Sequence, residues 1–357
     1  VMNLKKITSF VAVALLATVA STAQANTVKW SMKGDSLTLD PHEQNEGPTT
    51  MVSRQVYEAL VSRGLDMSIE PQLATEWEIE NPTTWVFTLR KGVTFHDGSP
   101  LKASDVVFSF NRAKSKTSDF KEYIDSVTSV EAVGADKVKL VTEGPNPILL
   151  NQISNIFVMS EAWSKANNSA LPGDFNADEK TFASSNANGT GPFKITLREQ
   201  DTKTVFEKND GWWGTVEHNL NRIELYPIAN SATRVASLLS GEIDIVTDAP
   251  VQDLKRIDSS TGHTVNSVEQ MRTIFLGMDQ GSAELRSSNI KGKNPLADRR
   301  VRKAMYQAID IEAIKKKVMR GLSSPAGIIT FPGVNGYTEA LDERFEYLSL
   351  IHISEPT

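Results

Sequence analysis

The sequence predicts a mixed α/β chain built as several lobes. Three observations carry this. Segments in which apolar and polar residues alternate are interleaved with segments in which apolar residues recur every three or four positions. Turn-forming residues separate them at short intervals, and no internal repeat points to a solenoid. The composition of the 357 residues, 39% hydrophobic and 23% charged, is ordinary for a globular protein of about two or three domains.

The elements follow in order. Residues 27–33 alternate, with Val28, Trp30 and Met32 on one face, and read as a strand. A polar loop runs from Asp40-Pro41-His42 to Gly47-Pro48. Met51, Val52, Val56, Tyr57, Leu60 and Val61 share a helical face, with Pro48 in the first turn and Gly64 as the stop. Residues 77–90 read as a hairpin turning at Asn81-Pro82, with Trp85, Phe87 and Leu89 on one face. A turn at His96-Asp97-Gly98 precedes a short amphipathic helix marked by Ala103, Val106, Val107 and Phe110. Residues 127–141 form a second hairpin, and the Asn-, Ser-, Ala- and Gly-rich stretch 164–190 reads as a surface connection. Residues 193–197 and 204–207 alternate as strands; residues 232–239 are helical up to Gly241, and 243–246 read as a short buried strand. Asp298 is a helix N-cap ahead of Val301, Met305, Ala308 and Ile309, and Ile311, Ile314 and Val318 continue as a second helix closed by Gly321.

The chain carries a formal net charge of −6 and no dense basic run, so nucleic acid is not an expected partner. The run Arg299, Arg300, Arg302, Lys303 is interleaved with apolar residues and reads as the solvated side of a helix. There is no cysteine, which removes disulfides, thiolate metal sites, cysteine nucleophiles and a lipidated-cysteine anchor together. Lys5 and Lys6, the short apolar stretch 7–20 and the Ala23-Gln24-Ala25 site form an export signal, with cleavage expected after Ala25.

Catalytic patterns fail one by one. The five histidines, at 42, 96, 218, 263 and 352, include no pair at zinc-helix spacing, and there is no GxSxG elbow or phosphate loop. Gly189-Thr190-Gly191 begins like a dinucleotide loop, but Pro192 follows and Lys194 stands where the third glycine belongs. His96-Asp97 and Asp40-Pro41 read better as turns than as a base with its partner. Trp77, Trp85 and Phe87 fit a core at strand spacing, and Trp212-Trp213-Gly214 reads as a loop with at least one ring half exposed. No cofactor, metal or catalytic residue is expected.

Several segments, in order, resemble the extracellular solute-binding proteins of the peptide/nickel family. They are Leu39-Asp40-Pro41-His42; Val56-Tyr57-Glu58-Ala59-Leu60-Val61; Glu70-Pro71-Gln72-Leu73-Ala74; the stretch Phe87-Thr88-Leu89-Arg90-Lys91-Gly92-Val93-Thr94-Phe95-His96-Asp97-Gly98; Gly189-Thr190-Gly191-Pro192-Phe193; Asn209-Asp210-Gly211-Trp212-Trp213-Gly214; Gly241-Glu242-Ile243-Asp244-Ile245; and Asp298-Arg299-Arg300-Val301-Arg302-Lys303-Ala304. The resemblance implies an α/β periplasmic-binding-protein type II clamshell with an extra domain. Domain I would comprise residues 26–57 and 186–268, domain II residues 58–185, and an incomplete domain III residues 269–347. It implies a monomeric, non-catalytic binding component of an ABC importer in the periplasm, whose partners are a di- or oligopeptide, or another small solute such as a nickel chelate, opine, glutathione or oligosaccharide, and an inner-membrane permease. Positions matching the family's ligand contacts are Asn45, Glu46 and Gly47, and a strand around Arg272, Thr273 and Phe275. Glu46 would meet a ligand ammonium and Arg272 a carboxylate; both read equally as surface charges. A secreted hydrolase acting on peptides or glycosides, and a chaperone-like binding protein, stay open on the residues alone.

The pattern breaks after Tyr347. Residues 348–357 read like translated sequencing adapter rather than the family's continuation, and Val1-Met2 reads like an automated gene start. The expectation is a C-terminally truncated chain with a non-native tail, exposed apolar faces in domain III and weak ligand binding.

Overall fold

The computed structural model describes residues 26–348 except 269, 271, 287, 290 and 335. The export signal read over 1–25 and, apart from Leu348, the tail read over 348–357 lie outside the described residues. The chain divides into two units, Val1–Ala229 and Asn230–Thr357.

The first unit opens with β1 (Thr27–Met32), whose Trp30 and Met32 are buried with Val28 packed beside them, as the alternation requires. α1 (Gly47–Val56) follows. The helical pattern extends over Leu60 and Val61, and here the structure differs. Tyr57 is extended, with φ −115° and ψ 155°, and its N–H closes the last turn on the Ser53 carbonyl. The next residues pair laterally: Ala59 bridges Phe157, and the Val158 N–H donates to the Glu58 carbonyl at 2.8 Å. Leu60 and Val61 are fully buried, but in a different core from Val52 and Val56. One apolar run with helical spacing serves two cores.

That other core is built on β2 (Val61–Arg63) and β3 (Ile69–Pro71), a small hairpin, and on an antiparallel sheet. The sheet comprises β4 (Ala74–Asn81), β5 (Thr84–Leu89), β6 (Val127–Val133) and β7 (Lys137–Thr142), in the order β4-β5-β7-β6. β5 is paired on both sides, so Trp85, Val86 and Phe87 are all buried. α2 (Ala103–Ala113) lies across β6 and β7 with Val106, Phe110 and Ala113 turned inward at helical spacing.

The chain returns through α3 (Leu149–Ile153) and α4 (Glu161–Ala166). The stretch 164–190 is only in part the surface connection its composition suggests: residues 175–180 are exposed, but Ser164, Ser169, Ala183, Asn188 and Thr190 are buried. Short polar side chains satisfy the backbone inside the protein here. Ser169 Oγ accepts from the Ala183 N–H at 3.0 Å, and Asn188 Oδ1 accepts from the Asp97 N–H at 3.1 Å. β8 (Phe193–Glu199), β9 (Lys203–Lys208) and β10 (Arg222–Pro227) then complete the order β1-β10-β9-β8, with β1 parallel to β10 and the other pairs antiparallel. α1 packs against β8.

The first unit thus holds two cores. One is drawn from residues 60–158; the other from 30–59 together with 157–225. Polar groups are buried where the chain passes between them. Asp40, read as a turn former, is fully buried and paired with Arg112 of α2, so the loop before α1 is bolted to the core over 60–158. Gly189 and Gly191 run so close to α1 that added Cβ atoms would lie 1.9 and 2.7 Å from the Val56 carbonyl oxygen. His96 and Asp97 are structural, as their turn context predicts: His96 Nε2 meets the Gly191 carbonyl at 3.0 Å, and Gly98 has φ +85°.

In the second unit Asn230 caps α5 (Ser231–Leu239), which ends ahead of Gly241 at φ +77°. The short strand β11 (Ile245–Val246) is not the buried strand expected: Ile243 is buried, but Ile245 is half exposed. α6 (Leu254–Asp258) and α7 (Arg299–Gln307) follow, the latter capped by Asp298, whose Oδ1 accepts from the Arg300 N–H at 2.8 Å. The second helix expected beyond it is one α-turn, Ile311–Ala313, running into a π-turn, Ile314–Val318. No residue of α7 is buried, and Met305, Ile314 and Val318 are exposed. Among the described residues no helix is long and apolar enough to cross a membrane.

Candidate functional site

The residues matched to ligand contacts fall in both units. In the first unit Asn45, Glu46 and Gly47 form the start of α1. Glu46 is its N-cap: Oε1 accepts from the Thr49 N–H at 2.8 Å and also from the Thr49 hydroxyl. Thr49 Oγ1 in turn accepts from the Leu37 N–H at 2.9 Å. Asn45 is exposed, and its Nδ2 donates to the Asp119 carbonyl at 3.2 Å, while Gln44 Nε2 donates to Asp119 Oδ2 at 2.8 Å. Gly47 is exposed with nothing near its Cα. A carboxylate therefore already occupies the positive end of the helix, and Glu46 Oε2 has no protein partner among the described residues. The loop suits a cationic group rather than a second anion.

In the second unit the strand expected around Arg272, Thr273 and Phe275 is absent; the segment lies in irregular chain. Extended chain becomes a strand only when a partner takes its backbone groups, and among the described residues none pairs with it. Thr273 Oγ1 donates to the Ile329 carbonyl at 2.7 Å. Arg272 is exposed, and Phe275 stands 61% exposed between Ile274 and Leu276, which are equally open.

Residues that the sequence did not single out as ligand contacts hold the firmest geometry. Arg112 NH1 donates to Asp40 Oδ1 at 2.7 Å and to His42 Nδ1 at 3.2 Å, NH2 donates to Asp40 Oδ2, and Nε donates to the Ser169 carbonyl at 3.2 Å. His42 Nε2 meets the Phe157 carbonyl at 2.9 Å, which places the ring proton on Nε2 and leaves Nδ1 as acceptor. Burial, aided by the Arg112 charge, lowers the His42 pKa to about 3, so the ring is neutral. Glu43 Oε2 accepts from Thr38 at 2.6 Å and Ser184 at 2.9 Å, with its pKa raised by burial. These groups tie segments together and present no nucleophile. The other described histidines are similarly engaged: His218 stacks on Phe193 at 5.5 Å and His263 Nε2 meets the Leu238 carbonyl at 3.1 Å. A groove of about 550 Å³ lined by Glu122, Asp125, Glu143 and Asn146 contains none of the matched residues.

Comparison with known proteins fits this architecture. The model of bacterial extracellular solute-binding proteins, family 5 Middle, matches residues 68–348. The dipeptide-binding protein of Escherichia coli K12 is 27% identical over 350 residues, covering 91% of this chain and 62% of that protein. The periplasmic oligopeptide-binding protein OppA of Salmonella typhimurium is 24% identical over 324 residues, covering 87% and 57%. Among solved structures, oligopeptide-binding AppA of Bacillus subtilis, in complex with a nonapeptide, superposes with a TM-score of 0.76 at 21% identity, over 90% of this chain and 61% of that one. NikZ of Campylobacter jejuni, in complex with Ni(L-His), gives 0.70 at 21% identity over 83% and 55%. The chain spans about six-tenths of the length of the curated relatives it matches. With most of its residues inside the family model, the chain belongs to the bacterial extracellular solute-binding proteins of family 5.

Proposed function

We propose that the protein is the substrate-binding component of an ABC importer, acting in the periplasm as a monomer after cleavage behind Ala25. It captures di- or oligopeptides, or similar small solutes, and hands them to an inner-membrane permease. It acts by binding and release, without turnover and without a cofactor. The observation that carries this is the family match over residues 68–348, together with relatives named for dipeptides and oligopeptides. The domain boundaries implied by the resemblance belong to this proposal; a contiguous core over 60–158 enclosed by a second core from either side supports an insertion of this kind, with Phe157, Met159 and Ala183 packing in the enclosing core.

The deciding experiment is ligand-observed saturation-transfer NMR on the chain from Asn26, with a pool of di- to pentapeptides. The expected result is weak but specific transfer to peptides, with no cleavage over hours. Transfer to a nickel–histidine complex alone would move the substrate class to metal chelates, and cleavage of the peptides would replace the binding role with a hydrolase.

Within this reading Glu46 meets a ligand ammonium and Arg272 a carboxylate, with Asn45, Gly47, Thr273 and Phe275 as the other ligand-binding positions. Support comes from the free Oε2 of Glu46 and the exposed Arg272 and Phe275. Glu46→Gln keeps an oxygen for Thr49 and removes the charge. It is expected to weaken peptides with a free amino terminus about tenfold, as loss of a charge-assisted hydrogen bond does. N-acetylated peptides should be unaffected. Equal loss for both kinds of peptide would place Glu46 in the helix cap only.

A further inference from the structure

Glu58 is buried where residues 57–60 pass between the two cores. Its Oε1 accepts from Trp212 Nε1 at 3.1 Å. Its Oε2 accepts from Trp213 Nε1 at 2.8 Å and from Thr190 Oγ1 at 2.8 Å. Two segments distant from it in sequence therefore end on one carboxylate. The indole rings lie 5.6 Å apart, tilted by 50°. The Arg90 guanidinium covers the Trp213 ring at 3.9 Å and is the charged group acting on Glu58. No cation pairs directly with Glu58 among the described residues. On the adjoining segments His96 Nε2 meets the Gly191 carbonyl, and Lys194 Nζ donates to the His96 carbonyl at 3.3 Å. Burial lowers the His96 pKa to about 4, so that ring stays neutral in mildly acidic solution.

We propose that Glu58 is an acid-sensitive latch: a proton on its carboxyl releases an indole of the Trp212-Trp213 corner while the unit stays folded. An ionised carboxylate only accepts, and it meets three donors here. The oxygen of a carboxyl that takes a proton becomes a much weaker acceptor, and its O–H must point away from the donors around it. Oε2 holds two of the bonds and Oε1 holds one, so the proton goes to Oε1, and Trp212 is left with the weakened acceptor and lets go. Indole N–H has no acceptor role to fall back on. The latch does not depend on what the protein binds.

Burial raises the Glu58 pKa, and the three hydrogen bonds and Arg90 oppose it without offsetting it. The folded chain therefore takes up this proton at higher pH than an unfolded chain does. Between those two values the group's contribution to stability grows as pH falls, so the release is local and is not an unfolding step.

The test is intrinsic tryptophan fluorescence of the full chain from pH 8 to pH 4, with far-UV circular dichroism in parallel. The expected result is a reversible emission change centred above the ordinary glutamate value of 4.5, with an unchanged dichroism spectrum. Burial also raises Glu43 and Asp105, so variants assign the step. Glu58→Gln should abolish it. Thr190→Val removes one donor, keeps both indoles, and should move the midpoint to higher pH. If Glu58→Gln fails to fold, Thr190→Val decides alone. No step in the wild type, a step that survives Glu58→Gln, a midpoint that Thr190→Val leaves in place or lowers, or a step that coincides with loss of dichroism overturns the proposal.

Discussion

Methionine in place of Arg112 is expected to lower the stability of the first unit by about 3–5 kcal/mol, read as a fall in the urea midpoint. The arginine and its partner Asp40 have fully buried side chains. Removing the guanidinium leaves an ionised carboxylate without its fork of donors. It also deprives His42 Nδ1 and the Ser169 carbonyl of their hydrogen bonds. The pair is costly to break more than it is valuable to keep, because burying two charges roughly offsets their attraction. The double variant Asp40→Asn, Arg112→Met should therefore recover most of the loss, a coupling that a double-mutant cycle measures directly. An Arg112→Met midpoint equal to that of the wild type would dismiss the pair as the bolt between the two cores.

Gly189→Ala is expected to cost at least about 3 kcal/mol, at the upper end for an overpacked site. The added Cβ would lie 1.9 Å from the Val56 carbonyl oxygen, 2.7 Å from its carbon and 2.9 Å from Tyr57 Cδ1. The obstacle is backbone at the last turn of α1, held there by the Gly191 N–H donating to the same oxygen at 2.8 Å. Neither side can yield without breaking that bond. Gly144→Ala is the control: nothing lies within 4 Å of its Cβ, and its stability should match the wild type to within about 0.5 kcal/mol. Thermal unfolding of the two variants side by side checks the contrast, and equal melting temperatures would show that α1 can move aside.

How much of this was legible differs from element to element. Period-2 and period-3.6 patterns located β1, the β4–β5 and β6–β7 hairpins, β8, β9 and α2, because each places its apolar side chains in a single core; the start of α7 was located by its Asp298 cap, since no residue of that helix is buried. The pattern failed at Leu60 and Val61, where neighbouring apolar residues belong to different cores and helical spacing is coincidental. It failed again over 164–190, where serines and asparagines lie inside to satisfy backbone groups, a role that composition reads as surface. Asp40 resembles any Asp-Pro turn former until Arg112 arrives from 72 residues away, and no local signal links the two. Glu58 left one trace, an acid within the apolar run Val56-Tyr57-Glu58-Ala59-Leu60, but its three donors come from elsewhere in the chain. Both Trp212 and Trp213 are partly exposed, as their loop context predicts. Of the matched ligand positions, the α1 cap is well formed, whereas 272–275 lacks the strand that the resemblance implied.

The parallel pairing of β1 with β10 also sets an order of events. Thr27 has Arg222 as its register partner, so the strand synthesised first has no place until nearly two hundred residues later. The core over 60–158 is encoded in one contiguous stretch and has all its strands well before that. The enclosing core must close a long loop, and the entropy of that closure makes its sheet the slow step. During that wait Trp30 and Met32 have no cover, which makes the N-terminal strand the part of the chain most in need of protection from premature association.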